Sequence, residues 1–536
     1  MGSMGTSAAR IDLDKFRLRR FVERLIDMGE MEVYDEPVPL TRLSEIIEGT
    51  RKGVLFRKAG PERLELAAKV AGGRARIAAA FDTTLDKLHD VYHQRLATPQ
   101  KTIQIPSREA PVHEIVRTGD AVDLTKLPFH PQHEFDGSCY ISAGIDYTVD
   151  PQTGRTNVGS RRLSLRNRKE TGTNVTAPSD LKRIYQACVA RGERLPITFT
   201  IGSHPLDLFA ATTRTPGDEL DLVARFRGEP GAVVKSVTND ILVPADAEVV
   251  LEGYLDERGY VEPEGPYGEY MGYYGAIHMD PVFHCTAVTM RRDAMYQTLL
   301  HGSAFQLEGS DAACISAMRA EAEAMRILRS TVREPVAVYL RETSGGANTL
   351  RVSMRQRSAG EARAAIAALF DGIMRLKHVF VFDDDIDIFD DQQVEWAFGT
   401  RFQADRDIMI FQGMMGMTMD PSLDGRRTGA KAGFDCTRPP GHEGQIPWTR
   451  CAAKVFKERA RFMTVEQVLE SGPMFFAEIV ESLGSDDGRE IACALDELRQ
   501  RGKLGRDRDG RYHLVAAPAG STGIVGELYH DPNEGA

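Results

Sequence analysis

VEPEGPYGEYMGYYG, residues 261–275, sets Glu264 and Glu269 in a stretch made mostly of glycine, proline and tyrosine. Five positions along a strand would leave two side chains on opposite faces, and five along a helix would leave them about 140° apart. Only a bent loop turns both toward one point. Pro266 fixes its own φ and biases Gly265 toward extended backbone, and Gly268 permits conformations that other residues resist. Two carboxylates converging in a partly apolar pocket have their pKa values pushed apart, as a proton-transfer site requires. From spacing alone, a solvated surface turn is the plainer alternative.

Two neighbouring stretches bear on that choice. TGRTNVGSRRLSLRNRKE, residues 153–170, carries Asn157, Arg161 and Arg162 on a predicted strand after the turn Asp150–Gly154. A regular strand points Asn157 and Arg162 to opposite faces, so their cooperation requires a bulge, which Gly159 would allow. GDELDLVARFRGEP, residues 217–230, places Glu219 before an apolar run and Gly228, in itself ordinary strand-turn composition.

The chain has 536 residues, 42% hydrophobic and 27% charged, enough for several independent cores. Seven cysteines without a CxxC pair argue against a disulfide framework and a zinc-cysteine site, and fit a reducing cytoplasm. No apolar run is long enough to cross a membrane, and no signal core opens the chain. MGSMGTS reads as a vector remnant ahead of the native start. A net charge of -11 disfavours a large nucleic-acid surface.

Periodicity divides the chain. DKFRLRRFVERLIDMGEM predicts an opening helix, and short apolar runs alternating with helical stretches such as ERLELAAKVAGGRARIAAAF predict an α/β domain over residues 8–120. Residues 121–310, punctuated by Pro, Gly, Asp and Asn, predict a mainly β domain. Helix then strand, repeated over 311–460, predicts an open sheet covered by helices. Residues 461–516 read as three helices and a two-stranded wing, a winged-helix-like module, and 517–536 as a flexible tail.

Taken in order, LRRFVERLIDMGEM, KLPFHPQHEFDGSCYISAG, DPQTGRTNVGSRR, EGPYGEYMGYYG, FDDDIDIFDDQQVEWAFGTR and GAKAGFDCT resemble the UbiD family of prenylated-flavin-dependent decarboxylases over about residues 15 to 450. The resemblance implies an α/β multidomain fold with a central split β-barrel that binds prenylated FMN and a C-terminal α/β oligomerisation domain. It implies reversible, non-oxidative decarboxylation of an aromatic or heteroaromatic acid through a covalent substrate–cofactor adduct, with an acrylic acid or an aroyl thioester as the alternative substrate. Arg162, Glu264 and Glu269 match the catalytic positions, with Glu269 as the proton donor. Asn157, Arg161, Arg162, Glu219 and Lys431 match cofactor-binding positions, and Asn157 and Glu219 match ligands for Mn²⁺ or Mg²⁺, with K⁺ nearby. A flavin prenyltransferase is the implied cofactor supplier, the aryl carboxylate and CO₂ are the small-molecule partners, and a homodimer or larger homo-oligomer is the implied assembly.

One position departs from the pattern. Where relatives place a histidine ligand after the asparagine, NRKETGTNVTAPSDLKRIYQ has none, and Asp180 falls there instead. A carboxylate suits a hard cation, yet Ser179 and Asp180 equally suit the N-cap of the helix that follows. His130 and His133 in FHPQHE read as surface or hinge residues, and DDDIDIFDD as a strand end plus a helix cap. His301 reads either as a contact to a ring substituent or as a structural hydrogen bond. The winged-helix-like module raises a DNA-binding regulator as the alternative class, but Glu490, Asp496 and Glu497 on its last helix oppose a phosphate backbone.

Overall fold

The computed structural model describes residues 11–301, 308–345, 348–417, 419–439, 441–442, 446–457 and 461–515. Where the sequence becomes Pro- and Gly-punctuated, six strands close on one another: β1 (Tyr140–Val149), β2 (Thr156–Leu165), β3 (Glu170–Thr173), β4 (Leu195–Ile201), β5 (Val249–Leu255) and β6 (Val282–Met290). Their ring order is β1-β2-β3-β6-β5-β4 and back to β1, and every pairing is antiparallel. Strand alternation gives the barrel two apolar faces. Val249 and Leu251 pack with Ile197, Phe199 and Phe283, while Val250 between them packs with Ile145 and Tyr147 under the helices Pro205–Ala211 and Leu220–Arg227. These helices are pinned by Arg227, whose guanidinium bonds the buried carboxylates of Asp207 at 2.7 Å and Asp246 at 2.8 Å.

The amphipathic opening helix, Leu18–Asp27, buries Leu18, Phe21, Val22 and Leu25 as its spacing predicts. It packs against a sheet of Met31–Tyr34, Gly53–Ala59, Leu64–Ala68 and Met295–Thr298, so the fourth strand comes from beyond the barrel. The helical expectation over ERLELAAKVAGGRARIAAAF is half wrong. Leu64–Ala68 is a strand, Lys69 turns at φ +56°, and only Arg74–Ala80 is helical. Leucine and alanine favour helix weakly, and pairing on both edges overrides that preference.

Beyond the barrel, strands Pro335–Leu340, Thr349–Met354, His378–Asp383, Thr428–Asp435 and Ile408–Met415 form an open sheet in that spatial order. Helices Asp311–Thr331 and Glu361–Gly372 cover one face and helix Asp391–Arg401 the other, as expected. The acidic run is a strand end and a cap: Arg401 bonds Asp383 at 3.0 Å and Asp385 at 2.7 Å, and Asp390 accepts the Gln392 N–H.

The chain divides into two compact units, Met1–Thr437 and Arg438–Ala536. The second contains helices Val465–Glu470, Phe476–Leu483 and Arg489–Gln500 around Val468, Ile479, Ile491 and Leu495, followed by the hairpin Leu504–Arg506 and Tyr512–Leu514. This is the element order read from the sequence. The expected tail, residues 517–536, lies outside the described residues. Among the described residues no helix is long and apolar enough to cross a membrane, and no cysteine is disulfide-bonded.

Candidate active site

The opening stretch folds into a ribbon of two short strand pairings, one nested inside the other. Glu262–Glu264 pairs with His278–Asp280, and Tyr267–Gly268 with Tyr274–Gly275. Gly265 stands at φ +94°, outside the extended region that its proline neighbour favours and in one that side chains rarely adopt. Gly268 serves a different end from the one expected. Its φ is ordinary, but a Cβ there would meet the His133 ring at 2.4 Å. The ribbon is therefore held close against the loop Pro131–Gly137, where Gly137 N–H donates to the Pro266 carbonyl and Gly268 N–H to Asp136.

This bend brings both glutamates to Arg162 on β2. Arg162 Nε and Nη2 donate to the two oxygens of Glu264 at 2.9 and 2.8 Å, and Nη1 donates to Glu269 Oε1 at 2.7 Å. The three side chains are 9%, 0% and 15% exposed, so the surface-turn alternative is excluded. Burial alone would lower the Arg162 pKa, but the hydrogen bond and charge of Glu264 and the charge of Glu269 more than offset it and hold the guanidinium above its ordinary value. The fork lies 4.3 Å over the Tyr267 ring, whose hydroxyl donates to Gln132 at 2.7 Å.

The two histidines of FHPQHE are interior rather than surface residues. His130 is fully buried, and His133 pairs with Asp136 at 3.1 Å and packs edge-on against Tyr267. His301 meets Tyr267 edge-on at 5.7 Å, and burial holds its pKa down, to about 3. Tyr267 as the platform under Arg162 and Gln132 as its anchor were missed, because in sequence a tyrosine among four gives no sign of which one is buried.

A second cluster forms at the other end of β2. Glu219 Oε2 accepts the Val158 N–H at 2.8 Å, and the Glu219 N–H donates to the Thr156 carbonyl, which seats the carboxylate beside Asn157. Burial, then the charges of Asp180 and Asp146, raise the Glu219 pKa. The segment is not strand-turn: Glu219 precedes helix Leu220–Arg227, closed by left-handed Gly228. Ser179, not Asp180, supplies the N-cap of helix Asp180–Ala190, accepting the Lys182 N–H, and leaves the Asp180 carboxylate half exposed in the first turn.

The bulge is not at Gly159. β2 runs regularly past it, and the register slips instead in β1 between Ile141 and Gly144. Gly159 makes room: a Cβ there would meet Asp146 Oδ1 at 2.7 Å. Asp146 is fully buried; among the described residues neither of its oxygens has a hydrogen-bond partner, and Arg161 Nε lies 3.7 Å away. Burial raises the Asp146 pKa. Arg161 otherwise donates to the Ser160 carbonyl and to Ser179 Oγ. Lys431 is not gathered with these groups by any described bond. It is buried on strand Thr428–Asp435, donates to the Met374 carbonyl at 2.7 Å, and has its pKa lowered by burial.

Comparison with known proteins agrees with this architecture. Residues 104–304 match the 3-octaprenyl-4-hydroxybenzoate carboxy-lyase Rift-related domain, and 314–436 match the corresponding C-terminal domain. The chain is 30% identical over 428 residues to an anhydromevalonate phosphate decarboxylase of Methanosarcina mazei, covering 78% of this chain and 96% of that protein. It superimposes on the UbiD-class enzyme HmfF from Pelotomaculum thermopropionicum, solved in complex with FMN, with a TM-score of 0.76 at 30% identity, covering 81% of this chain and 97% of that one. Against the vanillic acid decarboxylase of Sedimentibacter hydroxybenzoicus the TM-score is 0.69 at 26% identity, covering 83% and 97%. With these matches over the barrel and the C-terminal sheet, the chain belongs to the UbiD family of carboxy-lyases.

Proposed function

We propose that this protein decarboxylates an aromatic or heteroaromatic carboxylic acid, reversibly and without net oxidation, with prenylated FMN as cofactor. The observation that carries this reading is the Arg162 fork bridging Glu264 and Glu269 in a nearly dry site. A carbanion left on an aryl carbon is too unstable for side chains alone. A prenylated flavin, when bound, supplies an electrophilic centre that takes up that electron pair. The chain's own share is placement and protons. Arg162 orients Glu264 and faces the substrate carboxylate, and Glu269, held by a single N–H of the fork, delivers a proton to the carbon that lost CO₂.

The second cluster fits the phosphate end of such a cofactor. Two unpartnered oxygens on Asp146, the unpartnered Nε of Arg161 and the half-used carboxylate of Glu219 are buried polar groups that a cation and a phosphate would satisfy. Asn157 and Glu219 are hard oxygen donors suited to Mn²⁺ or Mg²⁺, with Asp180 as a third ligand, and K⁺ suits the same oxygen-rich surroundings. Lys431 remains a phosphate contact in this reading only with its ammonium turned away from Met374.

The 30% identity to an anhydromevalonate phosphate decarboxylase favours a second substrate, a phosphate-bearing carboxylic acid in place of an aryl acid. Homo-oligomerisation through the C-terminal sheet is supported by its edge strand Ile408–Met415, where Ile410 and Met415 are 57% and 59% exposed. DNA binding by the C-terminal unit is not favoured, because Arg489, Arg499 and Arg501 are each paired locally with Asp487, Asp496 and Glu497. The deciding experiment is co-expression with a flavin prenyltransferase, mass and absorbance analysis of the bound molecule, and CO₂ release across both acid classes. A bound prenylated flavin with CO₂ release supports the reading, and a flavin-free, inactive preparation refutes it.

A further inference from the structure

Beside Glu264, near the same oxygen that Arg162 Nη2 holds, stands a histidine that the reaction above does not use. His278 is the register partner of Glu264 in the ribbon. Its Nε2 lies 3.1 Å from Asp280 Oδ2, 3.6 Å from Glu264 Oε2 and 2.5 Å from the Asn174 amide, and its Nδ1 lies 2.7 Å from the Ala276 carbonyl. Both carboxylates are fully buried, while the imidazole is 26% exposed. A carbonyl only accepts, so Nδ1 carries a proton in either charge state and only Nε2 gains or loses one. When neutral, Nε2 accepts from Asn174. When protonated, it faces two carboxylates, with the Asn174 amide turned to present its oxygen.

Resting on the decarboxylase reading, we infer that His278 is a positioning residue for Glu264: its imidazolium, held by Asp280, keeps Glu264 ionised in the Arg162 fork and leaves Glu269 as the acid that carries the transferable proton. Charge balance in the buried row Asp280, His278, Glu264, Arg162, Glu269 explains why. With His278 protonated, two cations face three acids. Glu264 takes two N–H bonds from Arg162 and lies 3.6 Å from the imidazole, Asp280 takes the Val175 N–H on one oxygen and faces the imidazole at 3.1 Å with the other, and Glu269 takes one N–H. Glu269, with the fewest donors and the only one of the three with solvent exposure, is the acid placed to exchange a proton. If His278 loses its charge, Arg162 alone faces the three acids, and a proton on Glu264 would break the fork.

The surroundings agree. Donation from the His278 ring to Asp280 raises the His278 pKa against the opposing effect of burial, and burial raises that of Asp280. Facing His278 are Asp280 on its own strand, Glu264 across the ribbon and Asn174 ahead of helix Asp180–Ala190. Behind them lie Arg162 on β2, Tyr140 on β1 near Glu264, and Tyr260 near Asp280. Glu264, His278 and Asp280 also lie close enough to share a metal ion, but both Glu264 oxygens are already held by Arg162.

The test is the pH profile of kcat for flavin-loaded wild type, Asp280→Asn and His278→Gln, with histidine-selective ¹³C NMR of the same samples. Wild type should show an alkaline limb matching the His278 titration. Asp280→Asn, by removing the group that raises the His278 pKa, should move limb and titration together to lower pH. His278→Gln should lose that limb and lower kcat, with KM and bound flavin unchanged. An alkaline limb unmoved in both variants overturns the inference. So does a stoichiometric divalent ion in wild type that His278→Gln loses. If wild type releases no CO₂ from any acid, the decarboxylase reading fails by itself; a His278 pKa that also ignores Asp280→Asn and Glu264→Gln then removes the coupling as well.

Discussion

Arg162 holds both carboxylate oxygens of Glu264, at 2.9 and 2.8 Å, a match of two planar groups that no other basic side chain reproduces. Arg162→Lys keeps the charge and loses the fork. Charge-assisted bonds of this kind contribute about 1.5 to 3 kcal/mol each, so losing one lowers kcat/KM by about 10- to 100-fold. Steady-state kinetics checks this, with thermal unfolding to show that the fold is retained.

Glu269→Gln removes the proton donor while keeping a group that accepts from Arg162 Nη1. Turnover should fall by about 10² to 10⁴, while flavin absorbance and thermal midpoint stay at the wild-type level. Near-normal turnover would take Glu269 out of that role.

The two clusters on β2 should be separable. Asn157→Ala and Glu219→Gln are expected to reduce the metal and flavin retained through purification, whereas Arg162→Lys leaves the metal in place. Elemental analysis and flavin absorbance of the three proteins measure the difference. Equal retention in all three would remove the metal assignment.

Acid should loosen the fold through histidines buried without charge. Burial holds His130 down to about 4 and His204 well below its ordinary value. Between roughly pH 6.5 and that lower range the unfolded chain binds protons that the folded chain refuses, so stability falls as pH drops and is unaffected above 7. Denaturation midpoints at several pH values test the slope, which His130→Gln should flatten.

Arg227 is fully buried between two carboxylates, at 2.7 Å from Asp207 and 2.8 Å from Asp246. Arg227→Met leaves two uncompensated acids under the barrel and should destabilise by about 3 to 5 kcal/mol. Adding Asp207→Asn and Asp246→Asn should recover part of that loss in denaturant melts.

What was legible in the sequence was local. The Gly-Pro-Gly spacing around Glu264 called for a bend, the acid run before Asp390 for a strand end and cap, and the apolar spacing of Leu18 to Leu25 for a helix; all three are present. Partnership across long separations was not legible. Leu64–Ala68 has helix-favouring composition and becomes a strand because strands on both sides claim its backbone. Gly159 suggested a bulge and instead clears space for Asp146 from the neighbouring strand. His278 carries no motif, and its relation to Glu264 exists only through the ribbon's register. The family motifs supplied the grouping of Arg162 with the two glutamates, which spacing alone left open.

The strand Met295–Thr298, which leaves the barrel to pair in parallel with Leu64–Ala68, has a consequence for biosynthesis. A ribosome that has emitted the first 120 residues has released a sheet still missing one of its edges, and that edge is translated only after the barrel's last staves. The amino-terminal layer therefore completes late, and polypeptides truncated between the two segments should be substrates for chaperones rather than independent folding units.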